Sequence, residues 1–257
     1  MLIDTHCHLD AAEFSADRAS VVARALVSGV GGMVVPAVDR ASFSTVATLC
    51  RQYPECFPAY GIHPLYVDKA DLDDLADLTP DFLDQAVAIG EIGLDYFVPE
   101  RNEARQLEFF TTQLRLARER ELPVILHVRK AVDAILKELR KTRVKGGIAH
   151  AFNGSLQQAA IFIEMGFALG FGGAMTYDNA HHIRRLATAI PLENIVLETD
   201  APDIPPAWKW RQRNEPGELG QIAAVLAELQ QISVGEVIAV TGNNALRVLP
   251  GLKKTSA

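Results

Sequence analysis

Short apolar runs alternate with longer amphipathic runs along the whole chain. The short runs are rich in β-branched and other apolar residues and are bounded by Gly, Pro, Asn or Asp, which is the pattern of buried strands. Eight strands are predicted, over residues 2–8, 32–38, 56–62, 86–92, 122–128, 147–151, 166–171 and 194–199. A helical pattern follows nearly every one of them.

The clearest helical pattern covers residues 101–121. Leu107, Phe110, Leu114 and Ala117 recur there at helical spacing among charged residues. Strands that alternate with helices imply a parallel sheet, because parallel strands need crossover connections. The strand runs are almost entirely apolar, as expected for a sheet covered on both faces. Both an open doubly wound sheet and a closed barrel satisfy this pattern.

Histidine and carboxylate side chains stand at the ends of five predicted strands, where a buried strand has little reason to carry them. These residues are His6, His8, Glu91, His127, His150 and Asp200. Only a closed barrel brings the ends of the first, fourth, fifth, sixth and eighth strands around one point. We therefore expect an α/β fold, a (β/α)8 TIM barrel formed by residues 1–257 as one domain, with a metal site at the C-terminal face of its strands.

Four imidazoles and two carboxylates are more ligands than one tetrahedral ion requires. They suit two divalent cations with Glu91 as the bridge, and imidazole ligands favour Zn, Mn, Co or Ni over Mg. Such a pair of ions activates a water for hydrolysis and keeps the site cationic. Asp200 would act either as the general base or only as a ligand.

The composition of the chain bears on where the protein works and what it binds. The chain has no apolar run of membrane-spanning length, and its first residues lack the pattern of a signal peptide. We expect a cytoplasmic protein with no membrane contact and no obligate protein partner. The formal net charge of -7 counts against an extended non-specific grip on nucleic acid but leaves room for an anion bound locally by metal.

The chain resembles the TatD family of metal-dependent deoxyribonucleases, within the amidohydrolase-type barrels, and in it the bacterial YjjV-like branch. The resemblance lies in residues 3–9, 61–64, 90–96, 123–129, 150–155 and 198–202. It implies Mg-supported nuclease activity. It also implies that one metal is held by His6, His8, Glu91 and Asp200, and the other by Glu91, His127 and His150.

Further polar residues surround the predicted ligands. His63 would contact a phosphate or donate a proton, or else make a capping hydrogen bond. Arg129 would clamp a phosphate or pair with an acid at the rim. Glu198 would orient a ligand or pair with an arginine. The turn at residues 150–155 suits phosphate binding or an ordinary N-cap by Ser155, and residues 208–213 suit base stacking or a covering loop.

Two enzyme functions follow from this set of residues. The first is hydrolysis of a phosphodiester by a water that two metals activate, by a deoxyribonuclease acting as an exonuclease on DNA ends. Its catalytic residues would be Asp200, Glu91, His63 and Arg129. The alternative is a small-molecule amidohydrolase or esterase that uses the same dinuclear site, and the negative net charge favours it.

Overall fold

Eight parallel strands form the centre of the molecule in the computed structural model, which describes residues 1–255. Residues 256 and 257, the last two of the predicted domain, lie outside the described part. The strands are β1 (Leu2–Asp4), β2 (Val30–Pro36), β3 (Cys56–Tyr60), β4 (Ala88–Asp95), β5 (Val124–Arg129), β6 (Gly147–Ala149), β7 (Phe167–Phe171) and β8 (Ile195–Leu197). Each strand pairs with the next one along the chain, so all eight predicted strands are confirmed.

The first and last strands are joined by backbone hydrogen bonds at and just beyond their ends. The Thr5 N–H donates to the carbonyl of Leu197 over 3.0 Å, and the Asp200 N–H donates to that of His6 over 2.8 Å. The His8 N–H donates to the carbonyl of Ala201 over 2.7 Å. These bonds close the sheet, and the predicted (β/α)8 TIM barrel is confirmed.

Helices cover the outside of the barrel. They are α1 (Arg18–Val27), α2 (Arg40–Gln52), α3 (Pro80–Leu83), α4 (Glu103–Glu119), α5 (Val132–Lys141), α6 (Leu156–Glu164), α7 (His181–Ala189), α8 (Leu219–Gln230) and α9 (Val234–Val248). The helix predicted over residues 101–121 is α4. The connection after β3 is different in kind, because it consists of two 3-10 helices and the four-residue α3.

The N-terminal end of the barrel is closed by the end of the chain. Inward-facing side chains such as Ile3 and Ile148 form one buried cluster with Val248, Leu249 and Leu252, which belong to α9 and the segment after it. A second, larger cluster packs the outer faces of the strands against the surrounding helices. The open end is therefore the C-terminal end, where the predicted ligands lie.

Within residues 1–255, no single helix combines the length and the apolar composition needed to cross a bilayer. The segments Pro216–Gln230 and Val234–Val248 meet that test only together, as a pair bent by 107°.

Candidate metal centre

Four predicted ligands from three parts of the chain converge at the C-terminal end of the barrel. The Nε2 atoms of His6 and His8 are 3.2 Å apart. Glu91 Oε2 lies 3.1 Å from His6 Nε2 and 3.6 Å from His8 Nε2, and Asp200 Oδ1 lies 3.6 and 3.7 Å from the same two atoms. Tetrahedral ligands at metal bond lengths of about 2.1 Å are separated by about 3.4 Å. These four atoms therefore have the spacing of a metal cage.

A second group forms around the other oxygen of Glu91. His127 Nδ1 lies 2.8 Å from Glu91 Oε1, and His63 Nε2 lies 3.6 Å from the same oxygen and 3.0 Å from His127 Nδ1. The side chain of Glu91 is nearly inaccessible to solvent and presents one oxygen to each group. This is the arrangement that a bridging carboxylate requires.

His150 is the sixth predicted ligand, and it packs against the first group. Its ring stacks on that of His6 with 3.7 Å between ring centroids, and its Nε2 lies 3.5 Å from Asp200 Oδ1. The structure thus brings all six predicted ligands to one place. The nearest atoms join His150 to His6 and Glu91, and join His63 to Glu91 and His127; which ligands share an ion remains a prediction.

Two buried carboxylates contact His150 and His127 on the side away from the cavity. Glu198 Oε1 accepts the N–H of Ala151 over 2.6 Å and lies 3.0 Å from His150 Nδ1. Asp95 Oδ2 lies 3.0 Å from His127 Nε2. Partners of this kind fix the orientation of a ligating imidazole. Glu198 is therefore close enough to orient His150, and no arginine contact is found for it in residues 1–255.

The histidines and acids perturb one another strongly. Burial opposes ionisation of Glu91, but the surrounding histidines hold its pKa well below the usual range. Burial also disfavours the charged form of His8, yet its hydrogen bond to Glu91 and the charge of Asp200 raise its pKa to about 9. Burial lowers the pKa of His63 to about 3. At neutral pH the metal-free site therefore holds protons on His8 while His63 is neutral, and a cation would take the place of such protons.

Sequence reasoning missed Asp4, which lies behind the site. The Asp4 carboxylate is fully buried and accepts the Thr199 hydroxyl over 2.6 Å and the Thr199 N–H over 3.0 Å. Burial raises the pKa of Asp4 to about 7. An acid in a strand that is otherwise apolar was the available signal for this residue.

The site opens into a cavity of about 1430 Å³ at the barrel mouth. Asp10, Glu13 and Asp203 line its wall beside β1 and β8, whereas Arg129 and Lys130 line the wall beside β5. The mouth is therefore acidic beside β1 and β8, whereas the wall beside β5 carries these two cations and one acid, Asp133, and is net basic.

Arg129 pairs with an acid, which is one of its two expected roles, and contact with a phosphate remains a prediction. Its side chain is 50% exposed and lines the cavity, while one guanidinium nitrogen lies 3.8 Å from Asp95. The guanidinium carbon also lies 3.9 Å from the ring centroid of Phe97, a residue that sequence reasoning missed. Arg129 is thus an acid-paired cation that still faces the cavity.

The sequence allowed two roles each for the turn after β6 and for the loop at residues 208–213. Ser155 is the N-cap of α6, since its hydroxyl accepts the Gln158 N–H over 3.1 Å, and phosphate binding at this cavity-lining turn remains a prediction. In the loop, Lys209 pairs with Glu218, and Arg213 pairs with Asp17 and Glu215. The loop is absent from the cavity lining within residues 1–255, and two of its three cations, Lys209 and Arg213, form internal ion pairs, whereas the exposed Arg211 lies 5.6 Å from the ring centroid of Trp210.

Residues 3–250 match the family model described as TatD related DNase. The chain is 37% identical over 246 residues to the uncharacterised metal-dependent hydrolase YjjV of Escherichia coli K12, with 94% of this chain and 95% of that protein covered. It is 31% identical over 269 residues to human deoxyribonuclease TATDN3, with 98% and 96% covered. The crystal structure of E. coli YjjV superposes with a TM-score of 0.92 over 97% of this chain and 98% of that one. The chain therefore belongs to the TatD family of metal-dependent hydrolases.

Proposed function

We propose that this hydrolase is a deoxyribonuclease that removes nucleotides from DNA ends as an exonuclease, using two divalent cations. The observation that carries the proposal is the placement of the two oxygens of Glu91 in two separate ligand groups beside a cavity with a basic wall. The name of the matched family and that of human TATDN3 point to the same substrate class.

His6, His8, Glu91, His127, His150 and Asp200 would hold the cations. When bound, the cations make water acidic enough to attack at neutral pH and offset the charge of the phosphate oxygens. Burial would raise the pKa of Asp200, but the charge of His150 and its hydrogen bond hold that pKa below the usual range. Asp200 is therefore ionised at neutral pH and can accept the proton of the attacking water.

His63 and Arg129 would bind the substrate. The Nδ1 atom of His63 accepts the Leu65 N–H over 3.1 Å, so the neutral ring carries its proton on Nε2. Because the pKa of His63 is lowered to about 3, the ring would donate a hydrogen bond and not supply a full proton. Its Nε2 lies 3.0 Å from His127 Nδ1, and a phosphate oxygen would take the place of that partner when His127 holds a cation. Arg129 offers a second, charged donor from the basic wall.

A small-molecule amidohydrolase or esterase is the alternative. Its support is the acidic wall formed by Asp10, Glu13 and Asp203, which repels a polyanion that extends in that direction. A neutral amide or lactone meets no such repulsion. The two functions differ in whether the substrate carries charge before the reaction.

The test compares metal-loaded enzyme on a short single-stranded oligonucleotide and on a panel of amides, lactones and esters. We expect shortening of the oligonucleotide, loss of activity on chelation with recovery on adding divalent cation, and competition by inorganic phosphate. Arg129→Ala should reduce cleavage about 10- to 100-fold, as expected for a charge-assisted bond of about 1.5–3 kcal/mol. Arg143→Ala is the matched control, because Arg143 is exposed in the connection from α5 to β6, at the opposite end of the barrel.

Efficient turnover of a neutral substrate, with an intact oligonucleotide and no effect of phosphate, would identify the small-molecule hydrolase instead. Full activity after complete removal of metal would contradict both functions.

A further inference from the structure

Phe97 is an exposed aromatic residue at the wall of the catalytic cavity. It lies two residues beyond the end of β4, and 54% of its surface is exposed although large apolar side chains are usually buried. We infer that Phe97 is the surface on which the nucleobase next to the cleaved phosphate stacks. This inference rests on the proposed function and adds the group that recognises the substrate.

One face of the Phe97 ring is already covered. The guanidinium carbon of Arg129 lies 3.9 Å from the ring centroid, the distance of a cation–π stack. With more than half of the residue exposed and the ring at the cavity wall, the other face remains available. A planar base on that face would extend the stack, while the same guanidinium reaches the phosphate.

Asp95 links the backbone of Phe97 to the metal centre. Its Oδ1 accepts the Phe97 N–H over 2.9 Å, its Oδ2 lies 3.0 Å from His127 Nε2, and Arg129 lies 3.8 Å away. The Asp95 side chain is fully buried. One carboxylate therefore holds a predicted metal ligand, the phosphate-binding cation and the stacking ring in a fixed arrangement. This is the arrangement required when a base and its own phosphate are bound together.

The aromatic residues of the loop at 208–213 do not have this arrangement. Trp210 is also exposed, but it packs edge-on against Tyr177 and is not part of the described cavity lining. Stacking of unpaired bases on exposed rings tolerates any base, because every base has a π face. We expect Phe97 to contribute to binding of single strands without strong sequence preference.

The experiment measures fluorescence anisotropy of metal-loaded protein with short single-stranded DNA. The strands carry phosphorothioate linkages to slow hydrolysis, and they are intact or contain an abasic residue at one end or the other. The wild type should bind the intact strand more tightly than one of the abasic strands. Phe97→Ala should weaken binding of the intact strand about 5- to 100-fold, the range of one base–aromatic stack, and leave binding of that abasic strand unchanged.

Three further variants separate the stack from other effects. Phe97→Leu keeps an apolar side chain without a π face and should also lose the preference for the intact end. Phe97→Tyr should keep it, and so should Trp210→Ala, the exposed aromatic outside the cavity lining. Thermal unfolding of each variant establishes that the fold is retained.

Two results would overturn the inference: equal binding of intact and abasic strands by the wild type, or a preference for the intact strand that persists in Phe97→Ala. Cleavage of unmodified strands is measured separately. A base preference that depends on Phe97 without any cleavage would support the stack and contradict the proposed nuclease. Cleavage without a base preference that depends on Phe97 would support the proposed nuclease and contradict the stack.

Discussion

Glu198 shows how a single residue behind the centre can control it. Its carboxylate is buried between the Ala151 N–H and the ring of His150. Gly170 makes room for it, since a Cβ at that position would collide with the Glu198 carboxylate. The location of His150 therefore depends on two residues that do not themselves face the cavity.

Glu198→Gln should lower metal affinity or turnover about 10- to 100-fold, the usual effect of removing an outer partner of a ligating histidine. The amide retains the shape of the carboxylate but loses the charge that favours a proton on His150 Nδ1. Metal titration and steady-state kinetics measure the two effects. Glu193→Gln, at an exposed position in the same segment, should leave both unchanged, and equal values for the two variants would show that Glu198 has no role.

The convergence of the six predicted ligands could be expected from the sequence because each interrupts an apolar run near the end of a strand. His6 and Asp200 are far apart in the chain, yet strand order alone places them together. Phe97 and Asp95 gave no comparable signal, because their roles depend on contacts with Arg129 and His127 across neighbouring strands. Periodicity describes which face a residue occupies and carries no information about such pairs.

At the scale of elements, the contacts between the ends of β1 and β8, here called the seam, stabilise both the barrel and the metal centre. Asp4 at the end of β1 accepts two hydrogen bonds from Thr199. Thr199 lies two residues beyond the end of β8, next to Glu198. The two strand ends that carry His6 and Asp200 are held together there. Closure of the barrel and assembly of the first ligand group therefore depend on the same contacts.

Thr199→Val should destabilise the protein by about 1–3 kcal/mol. Valine has nearly the same volume as threonine, but the buried Asp4 carboxylate loses the hydroxyl that donates a hydrogen bond to it. For a chain of this size each kcal/mol corresponds to about 2–4 °C in Tm. Urea unfolding and thermal scans measure the change. Thr188→Val is the control, since that hydroxyl donates only within α7 at an exposed position; an equally small effect at both positions would contradict a structural role for the seam.

The connections were less predictable than the strands. The alternation of apolar and polar runs located all eight strands, but the segment after β3 forms mainly 3-10 helices in place of a long helix. The loop at residues 208–213 has the composition of a nucleic-acid contact, whereas two of its three cations, Lys209 and Arg213, pair with Glu218 and with Asp17 and Glu215. Local composition cannot show which acids fold back onto a cation.

Asp17 provides a test of that loop anchor by pH. Its hydrogen bond with Arg213 is the main cause that lowers its pKa from 3.8 to about 2. Because the folded pKa lies below the unfolded one, the stabilisation is complete above about pH 4 and disappears as the pH falls through about 2. The Tm difference between wild type and Asp17→Asn should therefore be largest near neutral pH and shrink on acidification. Asp68→Asn, at an exposed position without an ion pair among residues 1–255, should show no such trend; a constant difference for Asp17→Asn would contradict the anchor.

At the scale of the whole molecule, the protein has a negative net charge, and few cationic side chains lie near the site. The chain carries a formal net charge of -7, and Arg129 and Lys130 are the cations in the described cavity lining apart from the histidines. If the substrate is a nucleic acid, as proposed, its contacts would be confined to the nucleotides near its end, because the acidic remainder of the protein would repel the rest of the strand.

This distribution predicts a weak dependence of single-strand binding on salt. With two phosphates neutralised, the slope of log K against log salt should be about -1.4, and in Lys130→Ala about -0.7. Anisotropy titrations at several salt concentrations measure both slopes. A slope several times steeper would mean that the strand follows a cationic surface outside the cavity, and the assignment of the basic wall would be wrong.

The closed floor under the barrel determines how a polymer can move through the enzyme. Val248, Leu249 and Leu252 fill that end, so a strand cannot be drawn through and every molecule leaves by its path of entry. For the proposed exonuclease, we expect the shortened strand to back out so that the released nucleotide can leave by the same mouth, which makes degradation distributive. An excess of unlabelled strand added after the first cut should then halt further shortening of the labelled one, and continued shortening would show that the nucleotide passes a strand that stays bound.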